Sequence, residues 1–314
     1  MQTSTIGGVS TTGNGIHTIA LAGNTTIGNS DIGGPSNTLK TIQFTKDVTF
    51  TDNSPSVYST VTSNAPNQGT IVFTADNGFT DDLEDSTNSL KTVQFSSVEG
   101  TVKGDTYSVN VTIDSGKSAI FSSYNSRSTS VSSSTVGGVT VPRSTPQFNY
   151  QTVVSSSDFQ GTDNTTSAKF TNAALVQAPI NNGNLIFEDD VWLQKPVTGT
   201  STITFAPQKN ALISAGVGAN NIVADQTTMV FVGDNATIPA QGNITGSKIT
   251  FDLGNNTVVY DGSATPTGNL VFNVLYDTTN AGKTANTNSG NIVLANGAVL
   301  DLSKVDSIQV ILTA

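Results

Sequence analysis

The 314-residue chain carries 13 basic and 23 acidic residues, a net charge of −10, and only 11% of its residues are charged where about 25% is usual. Its two arginines, Arg127 and Arg143, make no cationic patch, so neither nucleic-acid binding nor docking on anionic lipid is expected. The absence of cysteine excludes disulfides and thiolate metal sites.

Serine, threonine, asparagine and glycine replace the missing charge, and an apolar content of 35% is enough for thin strands that each bury one face. No apolar run approaches the 18 or so residues of a membrane-spanning helix, so direct membrane insertion is not expected. Gln2 to Gly8 has neither the basic start nor the apolar core of a signal peptide. Ser307 to Ala314 reads as a strand without a cap, and both ends are read as lying inside a longer protein.

Along the chain, apolar residues recur at period two, the spacing of half-buried strands. Between Lys40 and Phe50 the even positions hold Ile42, Phe44, Val48 and Phe50, and the odd ones Thr41, Gln43, Thr45 and Thr49. Further strands are expected at Val93 with Phe95, Val109 to Ile113, Ile203 with Phe205 and Met229 to Val232. The series continues through Ile249 to Leu253, Val258 to Tyr260, Leu270 to Val274, Ile292 with Leu294, and Ile308 to Leu312. Asn-Gly, Asp-Gly and Gly-Gly pairs between them supply the positive φ of tight turns.

The segment Asn37-Thr38-Leu39-Lys40-Thr41-Ile42-Gln43-Phe44 returns 51 residues later as Asn88-Ser89-Leu90-Lys91-Thr92-Val93-Gln94-Phe95. A looser unit, glycine followed by a short apolar strand, recurs at Gly69 to Phe73, Gly183 to Phe187, Gly268 to Phe272 and Gly290 to Leu294. Strand ends at Phe187, Phe205, Phe231, Phe251, Phe272 and Leu294 are spaced 18 to 22 residues apart, except for the longer step from Phe205 to Phe231. That interval matches one coil of a solenoid, in which no single coil buries its inward face alone. The fold expected is all-β, a right-handed parallel β-helix, with tandem β-sandwich domains as the alternative.

Three segments are expected: an N-terminal β-repeat segment over 1–121, a Ser/Thr-rich linker or protruding loop over 122–167, and C-terminal β-helix coils over 168–314. The middle one contains serine runs at 132–134 and 155–157 together with Pro142 and Pro146.

Few residues offer chemistry. The single histidine, His17, has no carboxylate near it in sequence, and no Gly-x-Ser-x-Gly elbow or phosphate loop is present. Asp81, Asp82, Glu84 and Asp85 form one acidic run and Glu188, Asp189 and Asp190 another. Neighbouring strand residues point to opposite faces, so contiguous runs read as solvated turns before convergent sites. Asp76, Asp81 and Asp82 are the candidates for a weakly held Ca²⁺, although the Gly-Gly-x-Gly-x-Asp calcium repeat is missing. No cofactor is expected. Trp192, Phe148 and Tyr150 are candidates for contacting a partner, with Trp192 read as a core residue before an exposed anchor.

The repeated Asn-Thr/Ser-Leu-Lys-Thr-Ile/Val-Gln-Phe unit, with Gly-Asn-Leu-Val-Phe at 268–272 and Gly-Asn-Ile-Val-Leu-Ala-Asn-Gly-Ala-Val-Leu at 290–300, resembles the passenger region of the rickettsial surface cell antigen autotransporters of the outer membrane protein A and B type. The resemblance implies an exported β-helical passenger on the bacterial cell surface, displayed by a C-terminal outer-membrane barrel of the parent chain. It further implies adherence to and invasion of host cells through a host cell-surface protein receptor. It brings no catalytic residues. An adhesin is the leading reading, a passive surface-layer protein the next, and a glycan-processing β-helix enzyme the third; the chain is not expected to be an enzyme.

Overall fold

The computed structural model describes residues 4–6, 15, 17–28, 30–54, 56–76, 78–79, 82–83, 87–123, 126–130, 135–136, 139–140, 147–232, 236–238, 242–254, 256–275 and 290–313. These residues form β-strands and no helix. The chain divides into two compact units, one of residues 1–125 and 151–184 and the other of residues 126–150 and 185–314.

In the first unit, short strands stack into three parallel columns. Thr18–Leu21, Thr41–Phe44 and Thr60–Ser63 make the first, which single bridges carry on through Leu83 to Thr106. Ser4–Ile6, Thr25–Ile27, Thr49–Asp52, Thr70–Phe73 and Leu90–Phe95 make the second. Ser56–Val57, Gly78–Phe79, Glu99–Val102, Ser118–Phe121 and Ser167–Phe170 make the third. Two longer strands, Thr106–Ile113 and Thr152–Gly161, pair with each other and extend the second column. The chain visits the columns in turn, which is the path of a parallel β-solenoid. A β-sandwich would need antiparallel neighbours in its sheets, and the columns are parallel throughout the described pairings.

Local sequence explains why these segments are strands. Thr41–Phe44, Thr49–Asp52, Thr60–Ser63 and Thr70–Phe73 all alternate half-buried and buried positions, with threonine favouring the outward pleated surface. The inward positions hold a continuous aromatic stack. Phe73 stacks nearly parallel on Phe95 with ring centres 4.8 Å apart, Phe95 meets Phe121 at 5.6 Å, and Phe121 meets Phe170 at 5.2 Å. Burying each ring stabilises the fold by about 1.5–3 kcal/mol, and ring pairing adds about 0.5–1.5 kcal/mol. Gly69, at φ 86°, makes the turn before one such strand, where a Cβ would overlap the Phe44 ring.

The second unit also has three parallel columns. The first runs through Val191–Leu193, Asn210–Ile213, Thr227–Phe231, Lys248–Gly254, Gly268–Leu275 and Val305–Thr313. The second runs through Val197–Phe205, Val217–Val223, Asn243–Thr245, Ser263–Pro266 and Val299–Leu300. The third holds Ala236–Ile238, Thr257–Tyr260 and Asn291–Leu294. Phe187 stacks on Phe205, and Phe231, Phe251 and Phe272 stack in series.

Two spacings need correction. The long step from Phe205 to Phe231 is a change of column, since the partner that precedes Phe231 is Ile213, 18 residues earlier. Leu294 does not continue the Phe272 series: it pairs with Tyr260 in the third column, and the residue beside Phe272 is Val310. The 51-residue repeat likewise spans no whole number of coils. Its first copy forms the first-column strand Thr41–Phe44, and its second forms Leu90–Phe95 in the second column. The octapeptide therefore encodes the in-and-out alternation of a strand and leaves its place in the coil open.

The Ser/Thr-rich stretch 122–167 divides between the units. Thr152–Gly161 is a ten-residue strand of the first unit, paired with Thr106–Ile113 on one side and with Ala174–Val176 and Ile180–Asn181 on the other. In the second unit, Arg127–Ser130 and Gln147–Tyr150 form an antiparallel pair outside the columns. Between them, Thr135–Val136 pairs with Val139–Thr140.

Candidate functional site

The acidic residues act between coils. Asp76 Oδ1 accepts the Glu99 N–H at 2.9 Å, and Asp82 Oδ1 accepts the Asp105 N–H at 2.7 Å. Asp105 in turn accepts the Val153 N–H at 2.9 Å, while Asp190 and Asp225 receive the N–H groups of Asn210 and Ser247, each at 2.7 Å. Where the chain turns a corner, the strand ladder leaves amides unpaired, and these carboxylates satisfy them from the preceding coil. Asp76 and Asp82, two of the Ca²⁺ candidates, are engaged in this way, and Asp81 lies outside the described residues with Glu84 and Asp85. Among the described residues no three His, Asp or Glu side chains come together as a metal site. In the second acidic run, Asp189 pairs with Lys209 at 2.6 Å.

Hydrogen bonding to the charged form sets the titration of several of these groups. Asp225 is held below the usual carboxylate range by the Ser247 hydroxyl and then its N–H, and Asp163 by the hydroxyls of Ser115 and Thr165. Asp47 is lowered chiefly by its hydrogen bond from Lys91, and Lys209 is raised chiefly by its bond to Asp189. Sequence reading assigned the acidic runs to solvated turns and missed this bracing. Its signal was a recurrence of aspartate 20 to 23 residues ahead of the amide it caps.

The three aromatic candidates come together. Trp192 is flanked by the inward-facing Val191 and Leu193, and its own side chain emerges on the other face of the strand, opposite Leu212. Its indole N–H donates to Ser214 Oγ at 2.7 Å. Phe148, from the antiparallel pair, packs edge-on against the indole at 5.9 Å and 82°. The Tyr150 ring stacks on Phe148 at 6.0 Å, and the Arg127 guanidinium lies 5.2 Å from the Tyr150 centroid. Trp192 is 6% and Phe148 5% exposed, so both are anchors inside the molecule, whereas Tyr150 is half-buried and Gln147, Asn149 and Ser128 are exposed. Phe148 and Trp192 thus fasten the pair to the solenoid, and its polar edge faces solvent.

Along the same unit, Gln208, Gln226, Thr228, Ser247, Lys248, Thr250 and Asn269 line an open polar groove of about 430 Å³. Its lining has one cation and no carboxylate. An apolar cavity of about 20 Å³ lies among Ile238, Tyr260, Leu270 and Phe272.

These features define parallel β-solenoid columns with aspartate-braced corners in each unit and, in the second, the antiparallel pair Arg127–Ser130 with Gln147–Tyr150 fixed through Phe148 to Trp192. No family model and no solved structure matches the chain. Over 112 residues, 36% of the chain, it is 33% identical to Outer membrane protein A of Rickettsia conorii (strain Malish 7), a stretch that amounts to 5% of that protein's length.

Proposed function

We propose that the chain is part of a bacterial outer-membrane surface protein of adhesin type, an exported passenger whose solenoid presents side chains to a host cell-surface protein receptor. On this reading a C-terminal outer-membrane barrel elsewhere in the parent chain holds it at the surface, and the chain itself catalyses nothing. Similarity to a rickettsial outer membrane protein supports the location. The observation that carries the reading is the antiparallel pair of Arg127–Ser130 with Gln147–Tyr150, held by Phe148 on Trp192 with its polar edge outward. A stiff scaffold bearing one appended element suits recognition of a large partner, because ordering costs are met by the scaffold before contact.

The direct test is binding of the purified chain to cultured host cells. Saturable binding that falls at least tenfold when residues 126–150 are replaced by a short Gly-Ser linker supports the reading. Unchanged binding by that variant removes the pair as the contact element. Absence of any saturable binding, together with assembly into sheets, would favour the surface-layer alternative.

A further inference from the structure

The polar groove of the second unit is built by two rows of outward side chains that cross successive coils. One row holds Gln208, Gln226, Lys248 and Asn269: Lys248 pairs with Asn269 across the ladder, and Gln226 stands one position before Thr227, the partner of Ile249. The neighbouring row holds Thr228 and Thr250, which pair with each other. The long side chains of the first row are exposed and the two threonines are half-buried, so the first row forms a wall and the second a floor. Strands flank these coils on both sides, Val191–Leu193 before Asn210–Ile213 and Val305–Thr313 after Gly268–Leu275, so the groove opens on the outer face of the sheet and not at its edge.

The wall is ordered before any ligand arrives. Gln208 and Gln226 occupy corners at φ 65° and 52°, and the Gln208 side-chain amide donates to Gln226 Oε1 at 3.1 Å. Asn269 Nδ2 donates to the Ser247 carbonyl at 3.1 Å. Among the described residues, the Gln208 carbonyl oxygen, the Gln226 amide N–H groups and both threonine hydroxyls have no other protein partner, and Lys248 has no carboxylate within ion-pair distance. Asp225, the carboxylate beside the groove, is taken up by the Ser247 N–H and hydroxyl. On a chain of net charge −10, a lining with a cation and no carboxylate is the reverse of its surroundings.

We propose that this groove binds an acidic saccharide, a sugar unit bearing one carboxylate. Lys248 receives the carboxylate, and the glutamine and threonine groups bond the ring hydroxyls. The groove's volume, about 430 Å³, falls among small-ligand sites. No aromatic or aliphatic side chain lines it, so a nucleobase, an acyl chain or an apolar peptide finds no matching surface. A hydroxyl-rich ligand instead exchanges its bonds to water for bonds to amides already held in place, which lowers the ordering cost of binding. The site is separate from the antiparallel pair and requires no protein receptor.

The test is a nuclear magnetic resonance titration of the intact, isotope-labelled chain with sialyllactose, a hyaluronan tetrasaccharide, lactose and sodium acetate, read at the side-chain amide signals of Gln208 and Gln226. Saturable shifts with an acidic sugar are expected, and the sugar that responds tells whether a sialic or a uronic acid is the source. Lactose, which lacks the carboxylate, should bind more weakly by about threefold or more, the worth of an exposed charge pair, and acetate should give no saturable shift. Lys248→Gln should bring the acidic sugar down to the level of lactose with its melting temperature unchanged, while Lys40→Gln, in the first unit, should bind as the parent does. Should Lys248→Gln fail to fold, the comparison with lactose on the parent chain still decides. No saturable shift with either acidic sugar, lactose binding as tightly, acetate reproducing the shifts, or undiminished binding by a folded Lys248→Gln overturns the proposal.

Discussion

Phe148 meets Trp192 edge to face at 5.9 Å, and through this contact a segment with its own antiparallel pairing is fixed to a parallel solenoid. Phe148→Ala should release the pair at a cost of about 3 kcal/mol, the lower end for loss of a buried phenylalanine. Trp192 is the chain's single tryptophan, so its emission reports the event. A red shift and faster hydrogen exchange over 126–150, with the remainder protected, are expected. An unshifted spectrum would mean that Phe148 does not hold the indole out of water.

Phe95 sits between Phe73 and Phe121 in the interior stack. Phe95→Ala should destabilise the first unit by about 3–5 kcal/mol, because the removed ring leaves a void between coils that cannot collapse. Val98→Ser, three residues away and 62% exposed, should change stability by less than about 0.5 kcal/mol. Urea unfolding of the two variants separates these outcomes.

Gly69 has φ 86°, and its missing Cβ gives room to the Phe44 ring. Gly69→Ala should cost more than about 1 kcal/mol, since left-handed strain and steric overlap act together. Gly116, also at positive φ but with open space around it, should show the strain alone. Equal melting temperatures for the two alanine variants would argue against the Phe44 contact.

Asp47, Asp163, Asp225 and Asp301 all titrate below the ordinary carboxylate value of about 3.9. Groups with depressed folded values stabilise fully above the unfolded value, and that stabilisation disappears as pH falls through the folded ones. Stability should therefore decline below about pH 4. Lys209 has the opposite sign: its raised value contributes fully below about 10.4 and is lost as pH rises past the folded value. Thermal melts across pH should show the acid limb, and Asp225→Asn should make it shallower. An Asp225→Asn limb identical to that of the parent would mean the Ser247 bonds are not coupled to folding.

The buried Asp105 accepts the Val153 N–H. Asp105→Ala should cost about 1–3 kcal/mol by leaving that amide unpaired. Asp105→Asn, which keeps an acceptor oxygen, should recover part of it. Hydrogen exchange at Val153 is the readout.

Strand identity was legible wherever alternation was strict: Ile42 with Phe44, Val93 with Phe95 and Ile249 with Phe251 all point inward as their spacing requires. Column assignment was hidden, because Phe205 and Phe231 look alike in sequence and only the stacking partner separates them. The strand Thr152–Gly161 was masked by Ser155, Ser156 and Ser157, of which only Ser156 is buried and none carries an apolar signal. Trp192 is buried, and its aromatic partner Phe148 lies 44 positions away, beyond any local pattern.

The duplicated octapeptide has a genetic implication. Unequal crossing-over between its two copies would splice Phe44 directly to Ser96, so that a first-column strand would be followed at once by Glu99–Val102 of the third. The product would keep every local motif and yet own a triangular turn lacking one of its three sides. Such recombinants should be lost from a population even though the reading frame survives, whereas an exchange that removes one complete turn should be tolerated.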